Sequence, residues 1–194
     1  MRETDMRKLV LLAGLGVALA GCDKGPSTED SARSSGEIRL ENATAEEVMK
    51  QAAAAQEKNR MQPGEWENTF QLVSADMPGA PEMLRKKMAE EAKKPPSTTR
   101  ECRKAEDAKA MDFTKLAPAT QGCTFPKYVM ANGKVDAKME CKGPFGPVKM
   151  TINGTQSPSS YDMTVTTEQT PPGGSAQSKM TIRATGKRLG ECKG

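Results

Sequence analysis

The chain of 194 residues contains no histidine and very few large aliphatic side chains. Without histidine, Ser-His-Asp and Cys-His catalysis are excluded, and so is the commonest transition-metal ligand. After Cys22, Leu, Ile, Val and Phe make up only about 10% of the residues, a fraction typical of disordered chains. Disorder normally requires a high net charge as well, whereas the net charge here is +4. The same stretch carries 11 methionines against five leucines, so any core must be built from Met, Ala and the few aromatics.

The first 22 residues have the composition of an export signal. Two basic residues precede a 13-residue apolar run, which is too short to span a bilayer and has the length of a signal-peptide core. The run ends in Leu19-Ala20-Gly21-Cys22, which resembles the lipobox of bacterial lipoproteins. We therefore predict cleavage before Cys22 and lipidation of its thiol, so that acyl chains anchor the protein to a membrane. The alternative is a simple secretory signal in which Cys22 is incidental.

This signal predicts a location in a bacterial cell envelope, facing the periplasm. Asp23 resembles an inner-membrane retention signal only in some bacteria, so the inner and the outer membrane both stay open. The true start is Met1 or Met6. Composition divides the chain into a signal peptide at 1–21, a flexible tether at 22–36, an N-terminal helix region at 37–62 and an antiparallel β domain at 63–194.

Two helices and a helical turn are predicted from capping and periodicity. Thr44 and Glu47 form a capping box, and apolar residues recur at helical spacing after them until residue 63. The apolar stripe is mostly alanine, so we expect this helix to pack weakly on the domain; a helix lying on the membrane is the alternative. A second short helix begins at Pro81, with a basic face that we expect to be solvated. A short helical turn is predicted at 104–111.

From Gly64 onward the apolar period changes to alternation, which indicates strands. One strand begins there with Trp66, Phe70 and Leu72 on one face. Others are predicted at 97–103, 135–141, 148–155, 161–167 and 178–189. Short turns join the last four, so we predict a mainly β fold, an antiparallel meander of six or seven strands that forms a curved sheet or half-barrel with three helices at most. The inward residues of the last four strands are Val135, Ala137, Met139, Cys141, Val148, Met150, Ile152, Tyr161, Met163, Val165, Met180, Ile182 and Ala184.

Four cysteines remain after the lipidated one, and an even count behind an export signal predicts two disulfides. Asn132-Gly133 is the preferred pair for a two-residue type I′ hairpin turn. The register that this turn sets puts Cys123 and Cys141 on opposite faces, unless Pro126 introduces a bulge.

The alternation of the last strand indicates which cysteines pair. Its inward residues fall at every second position, Met180, Ile182 and Ala184, and continuing this alternation puts Cys192 on the inward face, like Cys141. We therefore expect the pairs Cys102–Cys123 and Cys141–Cys192, whose loops would contribute roughly 3 and 4 kcal/mol. A redox or metal site formed by these thiols is the alternative, although the sequence has no Cys-x-x-Cys pair.

One methionine per strand falls on the predicted inward face. Core filling is the ordinary role of such residues, because Met packs into irregular gaps. The sharper hypothesis is a pliable groove for an acyl chain or another apolar ligand, as in open barrels. Thioether copper binding is a third option. The predicted lining residues are Met130, Met139, Met150, Met163, Met180, Trp66 and Tyr128.

Seven short motifs are spread over the last two thirds of the chain. They are Pro63-Gly64-Glu65-Trp66-Glu67, Thr98-Thr99-Arg100-Glu101-Cys102, Gly122-Cys123-Thr124, Asn132-Gly133-Lys134, Cys141-Lys142-Gly143-Pro144, Ser160-Tyr161-Asp162-Met163 and Gly186-Lys187-Arg188-Leu189-Gly190-Glu191-Cys192. Together they resemble, from about Met61 to Cys192, a family of exported bacterial domains of unknown function. The resemblance implies a Met-rich antiparallel β domain with paired cysteines, often a lipoprotein, and brings no activity, cofactor or catalytic residue. Members often have apolar residues or proline where this chain has Arg103-Lys104-Ala105, so we expect a different turn there.

The predicted function is that of a membrane-anchored envelope module that binds an apolar ligand or contacts another envelope protein. A purely structural or stress-related lipoprotein without a small-molecule ligand is the alternative. We expect neither an enzyme nor a cofactor, and the nearly balanced charge speaks against nucleic acid as a partner. The oligomeric state is not predicted. The carboxylates that fall on the predicted polar strand face, where solvation is their ordinary role, are Asp136, Glu140, Asp162 and Glu168.

Overall fold

The computed structural model describes residues 27–105, 122–143, 146–170, 173 and 176–193. In chain order the elements are α1 (Thr28–Ser35), β1 (Ile38–Thr44), α2 (Ala45–Ala55), β2 (Gly64–Asp76), α3 (Glu82–Glu91), β3 (Ser97–Arg103), β4 (Cys123–Ala131), β5 (Lys134–Gly143), β6 (Gly146–Ser157), β7 (Ser160–Gln169) and β8 (Ser178–Gly190). The strands form one curved, unclosed antiparallel sheet with the order β1-β4-β5-β6-β7-β8-β2-β3. The predicted fold class is confirmed, with eight strands rather than six or seven.

The consecutive strands β4 to β8 follow the alternation and the turns of the sequence. Asn132 and Gly133 have φ of 52° and 70°, as the predicted type I′ turn requires. The predicted inward residues share one side of the sheet; Ala137, for example, pairs with Ile152, which pairs with Val165. This side is called the apolar face below, and the other side the polar face.

The edge strand β1 is not predicted by the sequence pattern. It pairs with β4, and Ile38 lies opposite Met130. Asn42 has φ 50°, so the alternation breaks there, and the capping box of the next helix begins at once with Thr44. The alternating run is short and ends directly at the helix N-cap, so it cannot be distinguished by pattern from the segment that leads into a helix. The sequence therefore indicates only a helix region at 37–62.

The expected flexible tether at 22–36 contains a helix where the structure describes it. α1 begins after Ser27, whose Oγ accepts a hydrogen bond from the backbone N–H of Asp30 at 3.1 Å. Ala32 is fully buried against alanines of α2. The prediction of a flexible tether is therefore wrong for α1, because one buried alanine and a good N-cap dock a helix whose composition is otherwise polar. Cys22 lies outside the described residues.

α2 carries the predicted capping box. The Oγ1 of Thr44 accepts from the N–H of Glu47 at 3.2 Å, and Oε2 of Glu47 accepts from the N–H of Thr44 at 2.7 Å. The helix ends at Ala55, and its apolar side is buried against β1 and β4, with Val48 only 2% exposed. The expectation of weak packing is wrong, because short alanine side chains let the helix approach the sheet closely.

α3 forms at the predicted place and stays outside the core. None of its ten residues is buried, and two lysines on or next to it pair with glutamates about one turn away at 2.8 and 2.6 Å. Its basic face is therefore solvated, as expected. The helical turn predicted at 104–111 lies mostly outside the described residues.

The two disulfides are Cys123–Cys141 and Cys102–Cys192, not the expected Cys102–Cys123 and Cys141–Cys192. The first difference comes from a β-bulge in β4. Three steps along β4 from Thr124 to Lys127 match only two steps along β5. The extra residue, next to Pro126, reverses the parity of β4 and brings Cys123 directly opposite Cys141.

A second irregularity, at the end of β8, explains the other disulfide. Glu65 of β2 pairs with Gly190, but the next residue, Trp66, pairs with Arg188, so Leu189 is an extra residue in β8. Gly190, with φ 151°, continues the chain on the opposite parity. Cys192 therefore lies beside Cys102 on β3, with the two Cα atoms 5.5 Å apart.

Buried side chains concentrate near one edge of the sheet, at β1 and β4. α1 and α2 cover the apolar face of β1 and β4 there, and two clusters form between them. Of the buried apolar residues in the described chain, only Trp66 lies outside α1, β1, α2, β4 and β5. The core therefore lies under the β1 and β4 edge of the sheet, and the apolar face of β6, β7 and β8 is only partly buried.

Candidate functional site

The predicted row of methionines is divided between two rows of the apolar face. One row consists of Met139, Met150, Thr167 and Met180. A second row crosses β7 at Met163, four residues before Thr167. It consists of Met130, Val135, Gly154, Met163 and Ala184. Between them lies a row of Ala137, Ile152, Val165, Ile182 and Leu72. The sheet thus brings the methionines onto one face, but not into one line.

The apolar face is covered unevenly. Tyr128, Met130 and Met139 pack against the clusters beneath α1 and α2, so three predicted lining residues belong to the core. On β6, β7 and β8 the apolar side chains are only partly buried. Phe70 on the adjoining β2 is 51% exposed. The remaining predicted lining methionines lie in this more open part, and they are Met150, Met163 and Met180.

At one end of the apolar face, β2, β3 and β7 bring together the Trp66 cluster, defined as Trp66, Asn68, Glu101, Arg103 and Tyr161. The guanidinium carbon of Arg103 lies 4.7 Å from the centre of the Trp66 ring, which stacks on Tyr161 with ring centroids 6.3 Å apart. Trp66 is 0% exposed, so this predicted lining residue is sealed within the cluster.

Asn68 is the hydrogen-bonding centre of the Trp66 cluster. Its Oδ1 accepts from the Tyr161 hydroxyl at 2.9 Å and from Nη2 of Arg103 at 3.1 Å. Its Nδ2 donates to the Glu101 carboxylate at 3.0 Å. Arg103 also donates to Glu101 at 2.7 Å, and this hydrogen bond lowers the pKa of the Glu101 carboxyl. The network joins three strands and is satisfied internally, which is typical of a structural element.

The larger of two described cavities lies on the polar face. It is an open groove of about 530 Å³ across β6, β7, β8 and β2, called the polar groove. In it Asp162 accepts two hydrogen bonds from Arg183, at 2.9 and 2.6 Å, which lower the pKa of Asp162 and raise that of Arg183. The other polar side chains that line the groove include Gln71, Asn153, Thr155 and Thr164. Sequence alternation marks these positions only as solvated, so this groove is not among the predicted sites.

The second cavity, of about 170 Å³, lies at the end of the β4–β5 hairpin, beside Gly36 and Met130. Of the predicted lining residues, Met130 alone contributes to either of these two cavities. The more open methionines of β6, β7 and β8 therefore line a surface rather than one of these two cavities.

The carboxylates predicted on the polar face are there, and each takes part in a cross-strand ion pair. Besides Asp162–Arg183, the pairs are Glu140–Lys149 at 3.3 Å, Glu168–Lys179 at 2.9 Å, and Asp136–Lys127. Within the described residues, no three His, Cys, Asp or Glu side chains are grouped so that they could hold a metal ion.

None of the helices in the described part of the chain is long and apolar enough to cross a membrane. In comparisons with known proteins, the chain matches the family described as a protein of unknown function, DUF3617, over residues 61–192. No curated protein and no solved structure matches it. The match begins after α2 and includes the Trp66 cluster, both disulfides and the polar groove. The chain belongs to this family of unknown function.

Proposed function

We propose that the protein is a membrane-anchored envelope lipoprotein whose β domain binds the acyl chain of a membrane lipid on the apolar face of β6, β7, β8 and β2. The exposure of this face carries the proposal. Its central residues Ile152, Val165 and Ile182 are only partly buried, and Phe70 beside them is 51% exposed. A contiguous, partly exposed apolar surface, in a chain of which 28% is charged, is typical of a binding surface.

The chemistry of the face suits a flexible apolar chain. Methionine side chains are unbranched and adapt to irregular shapes, and Thr167 is the only polar residue in the three rows of this face. The lipobox favours an acyl chain over other apolar ligands, because a lipidated Cys22 would hold the domain close to membrane lipids.

A purely structural or stress-related envelope lipoprotein is the second candidate. One observation favours it: neither of the two described cavities lies on the apolar face of β6, β7 and β8. In that case the partly buried methionines would only fill the curved sheet, and no lipid would be bound.

Lipid extraction and a fatty-acid titration distinguish the two candidates. Lipids that co-purify with the protein would be identified by mass spectrometry, and the delipidated protein would be titrated with a fluorescent long-chain fatty acid. Val165→Lys puts a charge at the centre of the apolar face and should weaken binding about tenfold or more. Thr166→Lys, one residue away on the polar face, is the matched control and should bind like the wild type. If both variants bind the fatty acid equally, the binding site is not on the apolar face. Absence of any lipid or fatty-acid binding favours the structural candidate.

The anchor is tested separately. Cys22→Ser should move the protein from the membrane fraction to the soluble fraction, because the acyl chains would have no attachment atom. Retention of this variant in the membrane fraction would refute the anchor, while the fatty-acid titration would still report on the β domain.

A further inference from the structure

We propose that the polar groove is a second ligand site, which binds a neutral, hydroxyl-rich ligand of the oligosaccharide class. The groove is on the opposite side of the sheet from the apolar face, so this inference goes beyond the proposed function and does not depend on it. It rests on the free hydrogen-bonding groups, the charge and the dimensions of the groove.

Free hydrogen-bonding groups converge in the groove. The side chains of Gln71, Asn153, Thr155 and Thr164 have no hydrogen-bond partner among the described residues. Amide and hydroxyl side chains each offer both a donor and an acceptor. Neighbouring hydroxyl groups of a sugar ring also donate and accept at each oxygen, so the two sets of groups are complementary.

The groove lining is electrically neutral. Its charged side chains are Asp162 and Arg183, which bind each other through two hydrogen bonds. An anionic ligand would compete with Asp162 for the guanidinium group, and a cationic ligand would compete with Arg183 for the carboxylate. The carboxylate oxygens retain free lone pairs that can accept from ligand hydroxyl groups without breaking the pair. Neutral ligands are therefore favoured over charged ones.

The dimensions of the groove fit a short oligosaccharide. The groove crosses four adjacent strands, which corresponds to a width of about 14 Å. Its volume of about 530 Å³ is within the range of small-molecule sites. No aromatic side chain is among its described lining residues, so a sugar ring would have no stacking partner. Hydrogen bonds alone would then give a Kd on the order of 1 mM.

A titration followed by nuclear magnetic resonance tests the site. The ¹⁵N-labelled full-length protein would be titrated with maltotetraose, cellotetraose and chitotetraose to concentrations well above that Kd. We expect at least one of them to shift the amide resonances of the groove strands in a saturable way. Inorganic pyrophosphate serves as the charged probe and should bind more weakly.

Two variants of β6 form a matched pair for this titration. Thr155→Val removes a groove hydroxyl and should weaken saccharide binding about fivefold. Thr151→Val makes the same change on the same strand and face, four residues away and outside the groove, and should leave the Kd unchanged. The proposal is overturned if no saccharide shifts the groove resonances, if both variants bind equally, or if pyrophosphate binds more tightly than every saccharide.

Discussion

Replacing Arg103 with alanine should remove the side chain that closes the Trp66 cluster. The Arg103 side chain is only 17% exposed, and it covers the Trp66 ring while donating to Asn68 and Glu101. The hydrogen bond to buried Asn68 contributes about 1–2 kcal/mol, and the cation–π contact contributes about 1 kcal/mol. The bond to Glu101 adds less than about 1 kcal/mol, because that side chain is 52% exposed and water screens it. We expect a loss of about 3 kcal/mol in the free energy of unfolding.

Urea unfolding monitored by tryptophan fluorescence measures this loss directly. Trp66 is the only tryptophan and is fully buried, so its emission reports on this cluster. With a slope of about 2 kcal/mol per molar urea, the Arg103→Ala midpoint should fall by about 1.5 M. The native emission of the variant should also shift to longer wavelength, because water gains access to the indole ring.

Arg100 provides the matched control on the same strand. It also pairs with a glutamate, Glu67, at 2.8 Å, but its side chain is 62% exposed. Arg100→Ala should therefore cost less than about 1 kcal/mol. The stability of Arg103→Lys should lie between those of the two alanine variants, because lysine keeps the charge and lacks the planar guanidinium group that donates to two partners. If Arg103→Ala and Arg100→Ala unfold at the same urea concentration, the contacts of Arg103 in the Trp66 cluster do not stabilise the sheet.

Three other positions allow single-residue tests by the same urea assay. At Gly186 a Cβ would come within 2.1 Å of the Tyr161 ring, so Gly186→Ala should cost about 2 kcal/mol, and wild-type stability would contradict this packing. Val48→Ala should cost about 1–2 kcal/mol because Val48 is 2% exposed, whereas Val73→Ala, at a 47% exposed position, should change stability by less than about 0.5 kcal/mol. Equal effects would contradict the burial of α2. The pKa of Glu101 is lowered by folding, so its contribution is present at neutral pH and lost as the pH falls through the folded-state pKa. The stability difference between the wild type and Glu101→Gln should therefore shrink as the pH falls below the ordinary range of a glutamate pKa, and a difference that does not depend on pH would argue against the pairing.

Features that depend on neighbours in the chain could be predicted from the sequence. The capping box of Thr44 and Glu47 spans one helical turn, and the Asn132-Gly133 turn fixes its hairpin with two residues. Alternation then assigns the faces of β5 to β8, because each is joined to the next by a short turn. The Met-rich apolar face follows from these local rules, and the structure bears it out.

The Trp66 cluster and the polar groove depend instead on contacts between distant segments. Asn68 bonds Glu101 and Tyr161, which are 33 and 93 residues away in the sequence. Alternation indicates that Asn68 shares a face with Trp66, but nothing local indicates that β2 lies beside β8. The polar groove has the same origin, because Gln71 of β2 joins side chains from β6, β7 and β8 only through this non-sequential strand order.

The wrong disulfide pairs have a single physical cause. Alternation predicts which face a residue occupies only while each strand residue has one partner, and one inserted residue reverses every later assignment. Both reversals occur beside residues that disfavour regular pairing: Pro126, which has no N–H for the ladder, and Gly190, with φ 151°. Allowing one change of parity at Pro126 puts Cys123 opposite Cys141, and one at Gly190 moves Cys192 to the face of Cys102. Of the cysteines in the described residues, Cys102 and Cys192 then remain, and the structure pairs them. A proline or glycine inside an alternating run is therefore a reason to consider both faces for every cysteine beyond it.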